Sequence, residues 1–224
     1  MNHKATINKI YTILTNAKVT PQEARYIFKQ VREQGKWAVP KVSKKLPDYL
    51  NPSEYWYLLE LVQNDQLTGI IIESLVNTGL RVSEFTNLLV QNIDFYQNQI
   101  KVVQGKGSKD RYVPITTNLK SKWKLWLNNR STGYLVQKKN NKQYTKRAIQ
   151  QRISNALKKL NIKGKKLSTH SLRHTYACLC LSKGMRLEDI KLLLGHSNIK
   201  TTEIYAKLEL GDIKDKFIQL MDRR

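Results

Sequence analysis

The chain has 224 residues, and its 40 Lys and Arg against 17 Asp and Glu give a formal net charge of +23 at pH 7. An apolar content of 40% suffices for a packed core, but charge of one sign at this excess repels itself unless a polyanion neutralises it, which favours nucleic acid as the partner. No apolar run has the length of a signal peptide or a membrane span, and the basic residues run through the whole chain rather than marking a membrane anchor, so a cytoplasmic, DNA-associated protein is expected.

Residues 1–35 read as two short amphipathic helices. Ile7, Ile10, Tyr11 and Leu14 form the stripe of the first. Thr20-Pro21-Gln22-Glu23 opens the second with a capping box and a proline at its first position, and Ala24, Ile27, Phe28 and Val31 supply its stripe up to Gly35. Residues 36–45 are basic and proline-broken, reading either as a solvated loop or as a strap along DNA. The expected organisation is a basic helical arm and linker over residues 1–45 and one larger domain over 46–224.

That domain opens with the capping signal Asn51-Pro52-Ser53-Glu54 and a helix carrying Trp56, Leu59 and Leu61. A further helix spans about Gln66 to Asn77 before Gly79. Another starts near Val82-Ser83-Glu84 and is expected to continue through Leu88 and Leu89. The period then changes to two. Ile93 and Phe95 mark a first strand, Ile100 to Val103 a second, and Tyr112 to Ile115 a third, placed at an edge by Pro114. The glycine-rich turn Gly105-Lys106-Gly107-Ser108-Lys109-Asp110 separates the last two. Helices are then expected at 119–127, 146–160 (with Ile149, Ile153, Ala156 and Leu157 on one face), 170–182, 187–194, 202–208 and 212–221. The fold class is mainly α with a small antiparallel three-stranded sheet. Cys178 and Cys180 have neither metal-ligand nor redox-pair spacing and read as free thiols in a reducing compartment.

Three segments carry chemistry. Ser168 and Thr169 can cap a helix that begins His170-Ser171-Leu172-Arg173-His174, putting His170 and Arg173 three apart near an N-terminus suited to phosphate. In Leu194-Gly195-His196 the glycine ends a helix and leaves His196 on the next turn. Tyr205 follows at the opening of a short helix. Gly105-Lys106-Gly107 lacks the spacing of a nucleotide-phosphate loop and lies between strands, so no nucleotide cofactor is expected, and no acidic cluster near these motifs suggests a metal.

Thr78-Gly79-Leu80-Arg81-Val82-Ser83-Glu84, Gly105-Lys106-Gly107, His170-Ser171-Leu172-Arg173-His174, Leu194-Gly195-His196 and Tyr205, in that order, resemble the tyrosine recombinases of the phage-integrase and Xer type. The resemblance covers about residues 46 to 210 and implies the fold of their catalytic domain. It implies that Arg81 and Arg173 grip the scissile phosphate, that His170 assists proton transfer at the nucleophile Tyr205, and that His196 donates to the phosphate. It also implies that Lys106 is the general acid, with Lys109 and Arg111 as competitors for that role. Glu84 is either a supporting carboxylate or a helix-start acid, two readings of equal weight. Lys36, Lys41, Lys44, Lys45, Lys109 and Arg111 are the expected DNA contacts. The implied activity is strand exchange on double-stranded DNA through a 3′-phosphotyrosine, by a homotetramer on DNA without cofactor. The alternatives are a type IB topoisomerase and a DNA-binding accessory protein that has lost the chemistry.

Overall fold

The computed structural model describes residues 3–35, 47–103 and 110–195. The expected helices at 202–208 and 212–221 lie outside these residues, as do Lys36, Lys41, Lys44, Lys45, Lys106, Lys109, His196 and Tyr205. The chain divides into two compact units, Met1–Lys44 and Lys45–Arg224.

The first unit is a pair of helices, α1 (His3–Asn16) and α2 (Pro21–Gln34), joined by a turn in which Lys18 adopts a left-handed conformation. The expected capping box is present: Glu23 accepts from the Thr20 backbone N–H, and the Thr20 hydroxyl accepts from the Glu23 N–H. Neither helix buries a residue, and Ile7, Tyr11 and Phe28 are all exposed.

The second unit is organised around α4 (Gln66–Thr78), which follows α3 (Pro52–Leu61) and its Asn51–Glu54 capping box. Asp65 caps α4, and Arg152, from a helix further along the chain, reaches the same carboxylate at 2.8 Å. Ile70, Ile71, Ile72, Leu75 and Val76 are all buried, which is the signature of a helix enclosed on most sides. Its partners are α3, α6 (Thr117–Leu127), α7 (Lys146–Lys159) and α8 (Thr169–Ser182). The core face of α7 is the expected one, with Ile149, Ile153, Ala156 and Leu157 buried. From α6 the fully buried Trp123 donates its indole N–H to Ser74 at 2.9 Å, and Ser74 in turn donates to the Ile70 carbonyl at 2.6 Å. Burying that indole therefore leaves no donor unpaired.

Between α5 (Val82–Thr86) and α6 lies an antiparallel meander in the order β1 (Ile93–Asp94), β2 (Gln99–Val102), β3 (Arg111–Pro114). A mainly helical fold with one small three-stranded sheet is the class expected, and Pro114 does lie on an edge strand. Two elements are shorter than their patterns suggested. Helix α5 stops at Thr86 because residues 133–135 take over the next backbone groups: Val90 N–H donates to Gly133 O and Leu135 N–H to Leu88 O, both at 2.8 Å. Strand β1 ends at Asp94, whose carboxylate accepts from the backbone N–H groups of Tyr96 and Gln97 and turns the chain.

A second, smaller core joins α8 to α9 (Leu187–Leu194) through Tyr176, Ala177, Leu181, Ile190 and Leu194. Cys178 is buried here and its thiol is pushed up to about 12, while Cys180 is half-buried. Gly79 ends α4 at φ +63, and a Cβ there would lie 2.4 Å from Tyr176 Cδ1 and 2.8 Å from Leu194 Cδ2. Left-handed strain of roughly 1–2 kcal/mol would add to an overpacking cost of about 1–3 kcal/mol. A urea melt of Gly79→Ala is thus expected to show a loss of at least about 2 kcal/mol. A melt indistinguishable from wild type would show that this junction yields easily.

Candidate active site

The meeting of α4, α5, α8, α9 and β3 builds one charged cluster. Arg81 precedes α5 with extended backbone, so its main chain and its side chain both face the carboxylate three residues on. Its backbone N–H donates to Glu84 Oε2 at 2.8 Å and its Nη1 to Oε1 at 2.7 Å. Glu84 is therefore both a helix-start acid and an ion-pair partner of Arg81. The other edge of the carboxylate belongs to Arg111, with Nη1 to Oε1 at 3.0 Å and Nη2 to Oε2 at 2.9 Å. Arg173 Nη1 lies 4.0 Å from Oε2.

The same three arginines also reach the end of α9. Arg111 Nε donates to the Leu193 carbonyl at 2.9 Å, Arg173 Nη2 to Leu194 at 2.6 Å, and Arg81 Nη2 to Gly195 at 3.2 Å. These acceptors lie in the last turn, where carbonyls lack helical partners and the helix dipole favours cations. Gly195, at φ +64, ends the helix as expected. Arg173 also donates to the Gly79 carbonyl at 2.6 Å, tying the end of α4 to α8.

Arg81 and Arg173, expected to act together, are brought to one carboxylate and to adjacent carbonyls. Their exposures differ: the Arg81 side chain is 39% exposed and that of Arg173 8%. His170 is exposed in the first turn of α8, whose start is closed by the Ser168 N–H donating to the Ser171 hydroxyl at 3.0 Å. Burial, reinforced by His170 and Arg173, lowers the His174 imidazole to about 4, so it is neutral through the physiological range. Tyr176, also close to the arginines, is buried with its phenol pushed up, which makes it a poor nucleophile. Among the described residues, no three His, Cys, Asp or Glu side chains cluster as a metal site, and no helix is long and apolar enough to cross a membrane.

Among the described site residues, Arg111 has surroundings that the sequence reading did not anticipate. Grouped with the DNA contacts and with the candidate acids, it is only 10% exposed and its fork is committed to Glu84 and Leu193. The signal was its parity: Arg111 and Val113 share one face of β3, and Val113 is buried.

The fold matches the crystal structure of XerA recombinase with a TM-score of 0.69 at 27% identity, covering 97% of this chain and 83% of that one. A Tn1549 transposon integrase solved with transposon right-end DNA shares the fold at a TM-score of 0.67 and 19% identity, over 94% of this chain and 82% of that one. The fold is that of the catalytic domain of the tyrosine recombinases. The chain belongs to the phage integrase family, whose sequence model matches residues 48–210. It is 31% identical over 207 residues to tyrosine recombinase XerA of Pyrococcus furiosus, covering 89% of this chain and 71% of the relative. It is 36% identical over 188 residues to a tyrosine recombinase of Pseudothermotoga lettingae, covering 80% and 64%. The chain thus spans about two thirds of these relatives' length.

Burial works to raise the Glu84 pKa, but hydrogen bonds from Arg111 and from the Arg81 backbone, with the charge of Arg111, outweigh it and hold the carboxyl below its ordinary 4.5. A carboxylate depressed on folding stabilises the protein fully above its unfolded value, and that contribution disappears as pH falls through the folded one. Glu84→Gln strands two guanidiniums and is expected to cost about 3–5 kcal/mol near neutrality. Denaturant titrations run from about pH 7 to pH 3 are expected to show the gap from wild type closing only below about pH 4.5. A gap that does not depend on pH would remove the charge from this account.

Proposed function

We propose that the chain is a site-specific DNA recombinase that cuts and rejoins strands through a covalent 3′-phosphotyrosine. The observation that carries this reading is the convergence of Arg81 and Arg173 on the last turn of α9, immediately before His196 in the chain. Guanidinium is planar, permanently charged and forked, and suits the non-bridging oxygens of a phosphodiester. The net charge of +23 supports a polyanionic substrate, and double-stranded DNA matches the family.

In the proposed reaction the Tyr205 phenol oxygen attacks phosphorus while the bond to the 5′ oxygen breaks. The phenol gives up its proton with help from His170, which the neighbouring arginines assist by favouring the anion. Lys106 delivers a proton to the departing 5′ oxygen, and His196 donates to the phosphate. A 5′-hydroxyl of another strand then attacks the phosphotyrosine and restores the diester, so bond energy is conserved without ATP. Exchange between two duplexes involves both strands of each, so the working form is a homotetramer on DNA. The basic stretch with Lys36, Lys41, Lys44 and Lys45 and the hairpin with Lys109 supply backbone contacts.

The decisive assay is incubation with a nicked suicide duplex bearing a candidate site. Wild type is expected to give a covalent band on a denaturing gel, and Tyr205→Phe to bind the duplex without one. A covalent adduct that persists in Tyr205→Phe would refute the assignment of the nucleophile. A duplex with sulfur in place of the 5′-bridging oxygen has a leaving group that needs little protonation. It is expected to restore cleavage by Lys106→Ala but not by Arg173→Ala; rescue of Lys109→Ala instead would move the acid to that residue.

A further inference from the structure

We propose that Arg111 is a positioning residue for strand cleavage, one that takes up Glu84 so that the charge of Arg81 and Arg173 remains directed at the phosphate. The inference rests on the recombinase reading above and assigns a role to a residue that the proposed reaction does not use.

Three features carry it. First, all three guanidinium nitrogens of Arg111 donate to protein acceptors. Nη1 and Nη2 hold both oxygens of Glu84 at 3.0 and 2.9 Å, and Nε holds the Leu193 carbonyl at 2.9 Å. Its side chain is 10% exposed, and its stem lies against Gly195, where a Cβ would come within 3.0 Å of Arg111 Cδ. Its fork is thus closed on a carboxylate, whereas that of Arg173 lies 4.0 Å from Glu84 and donates to main-chain carbonyls.

Second, the charge arithmetic depends on it. Arg81, Arg111 and Arg173 carry three positive charges against one negative on Glu84, leaving a net charge of two. A phosphodiester bears one negative charge, and its pentacoordinate transition state about two. Without Arg111 the full charge of Glu84 falls on Arg81, at 2.7 Å, and on Arg173, at 4.0 Å, and the net charge drops to one. The loss is therefore felt more in the transition state than in the bound substrate, and it appears in the rate rather than in affinity.

Third, Arg111 opens β3, directly after the hairpin that carries Lys106 in sequence, and its three acceptors lie on α5 and at the end of α9. The strand leading out of that hairpin is thus fastened to both elements that hold the phosphate-gripping arginines.

The test compares single-turnover covalent-complex formation on the suicide duplex, at saturating protein, with equilibrium binding of an uncut duplex over a range of salt. Arg111→Gln is expected to cut the rate about 10- to 100-fold, the scale on which removing a group that orients a metal ligand acts in metalloenzymes. Its Kd is expected to stay within about threefold of wild type with the same salt slope. Arg111→Lys restores the charge without the fork and is expected to recover part of the rate. A salt slope smaller by about one would make Arg111 a phosphate contact and overturn the proposal. So would a wild-type rate in Arg111→Gln, or a rate loss that a thermal melt explains by unfolding at the assay temperature. If Arg111→Gln does not fold, Arg111→Lys decides: slowed cleavage at full occupancy supports the role, and unchanged cleavage ends it. A wild-type protein that forms no covalent complex defeats the recombinase reading itself, whereas active wild type with equally active Arg111 variants defeats only this inference.

Discussion

One carboxylate organises the place where α5, α8, α9 and β3 meet. Glu84 offers about four lone-pair sites, and the Arg81 backbone, the Arg81 fork and two nitrogens of Arg111 fill them. Arg173 completes the ring of cations at 4.0 Å. Each arginine then turns another donor to the last turn of α9, whose carbonyls lack helical partners. Two deficits cancel here: a helix end short of donors, and three cations that would otherwise repel each other. Three cations are thereby held together by groups already satisfied within the protein.

The supporting architecture serves that assembly at a distance. Helix α4 is enclosed by α3, α6, α7 and α8, and its buried hydroxyls are bonded, as Ser74 is to Trp123 and to Ile70. Its rigidity matters at its far end, where Gly79 turns left-handed against Tyr176 and presents a carbonyl to Arg173. A residue without a side chain is needed there because Tyr176 and Leu194 of the smaller core close onto that point.

Much of this was legible in the sequence. The apolar period of α7 named its buried face, the change to period two located the sheet, and Thr20 and Glu23 announced a capping box by their spacing. What the sequence withheld was contact between distant segments. Leu88 and Leu89 fit a helical stripe, yet residues 133–135 claim their backbone, and no local pattern reveals such competition. Arg111 is similar. Its parity with Val113 pointed inward, but its acceptors are Glu84, well upstream, and a main-chain carbonyl of α9. A carbonyl has no residue type, so hydrogen bonds to it leave no trace in the amino-acid code.

Because three arginines rooted in α5, β3 and α8 read consecutive carbonyls of α9, that helix is fixed in phase as well as in place. Inserting or deleting one residue within it would rotate its terminus by about 100° and shift it by about 1.5 Å, mismatching all three arginines together. Exchanges on its outer side, such as at the exposed Leu192, disturb none of these bonds. Evolutionary drift in α9 is therefore free in composition on its outer side, away from the buried Ile190 and Leu194, but locked in length.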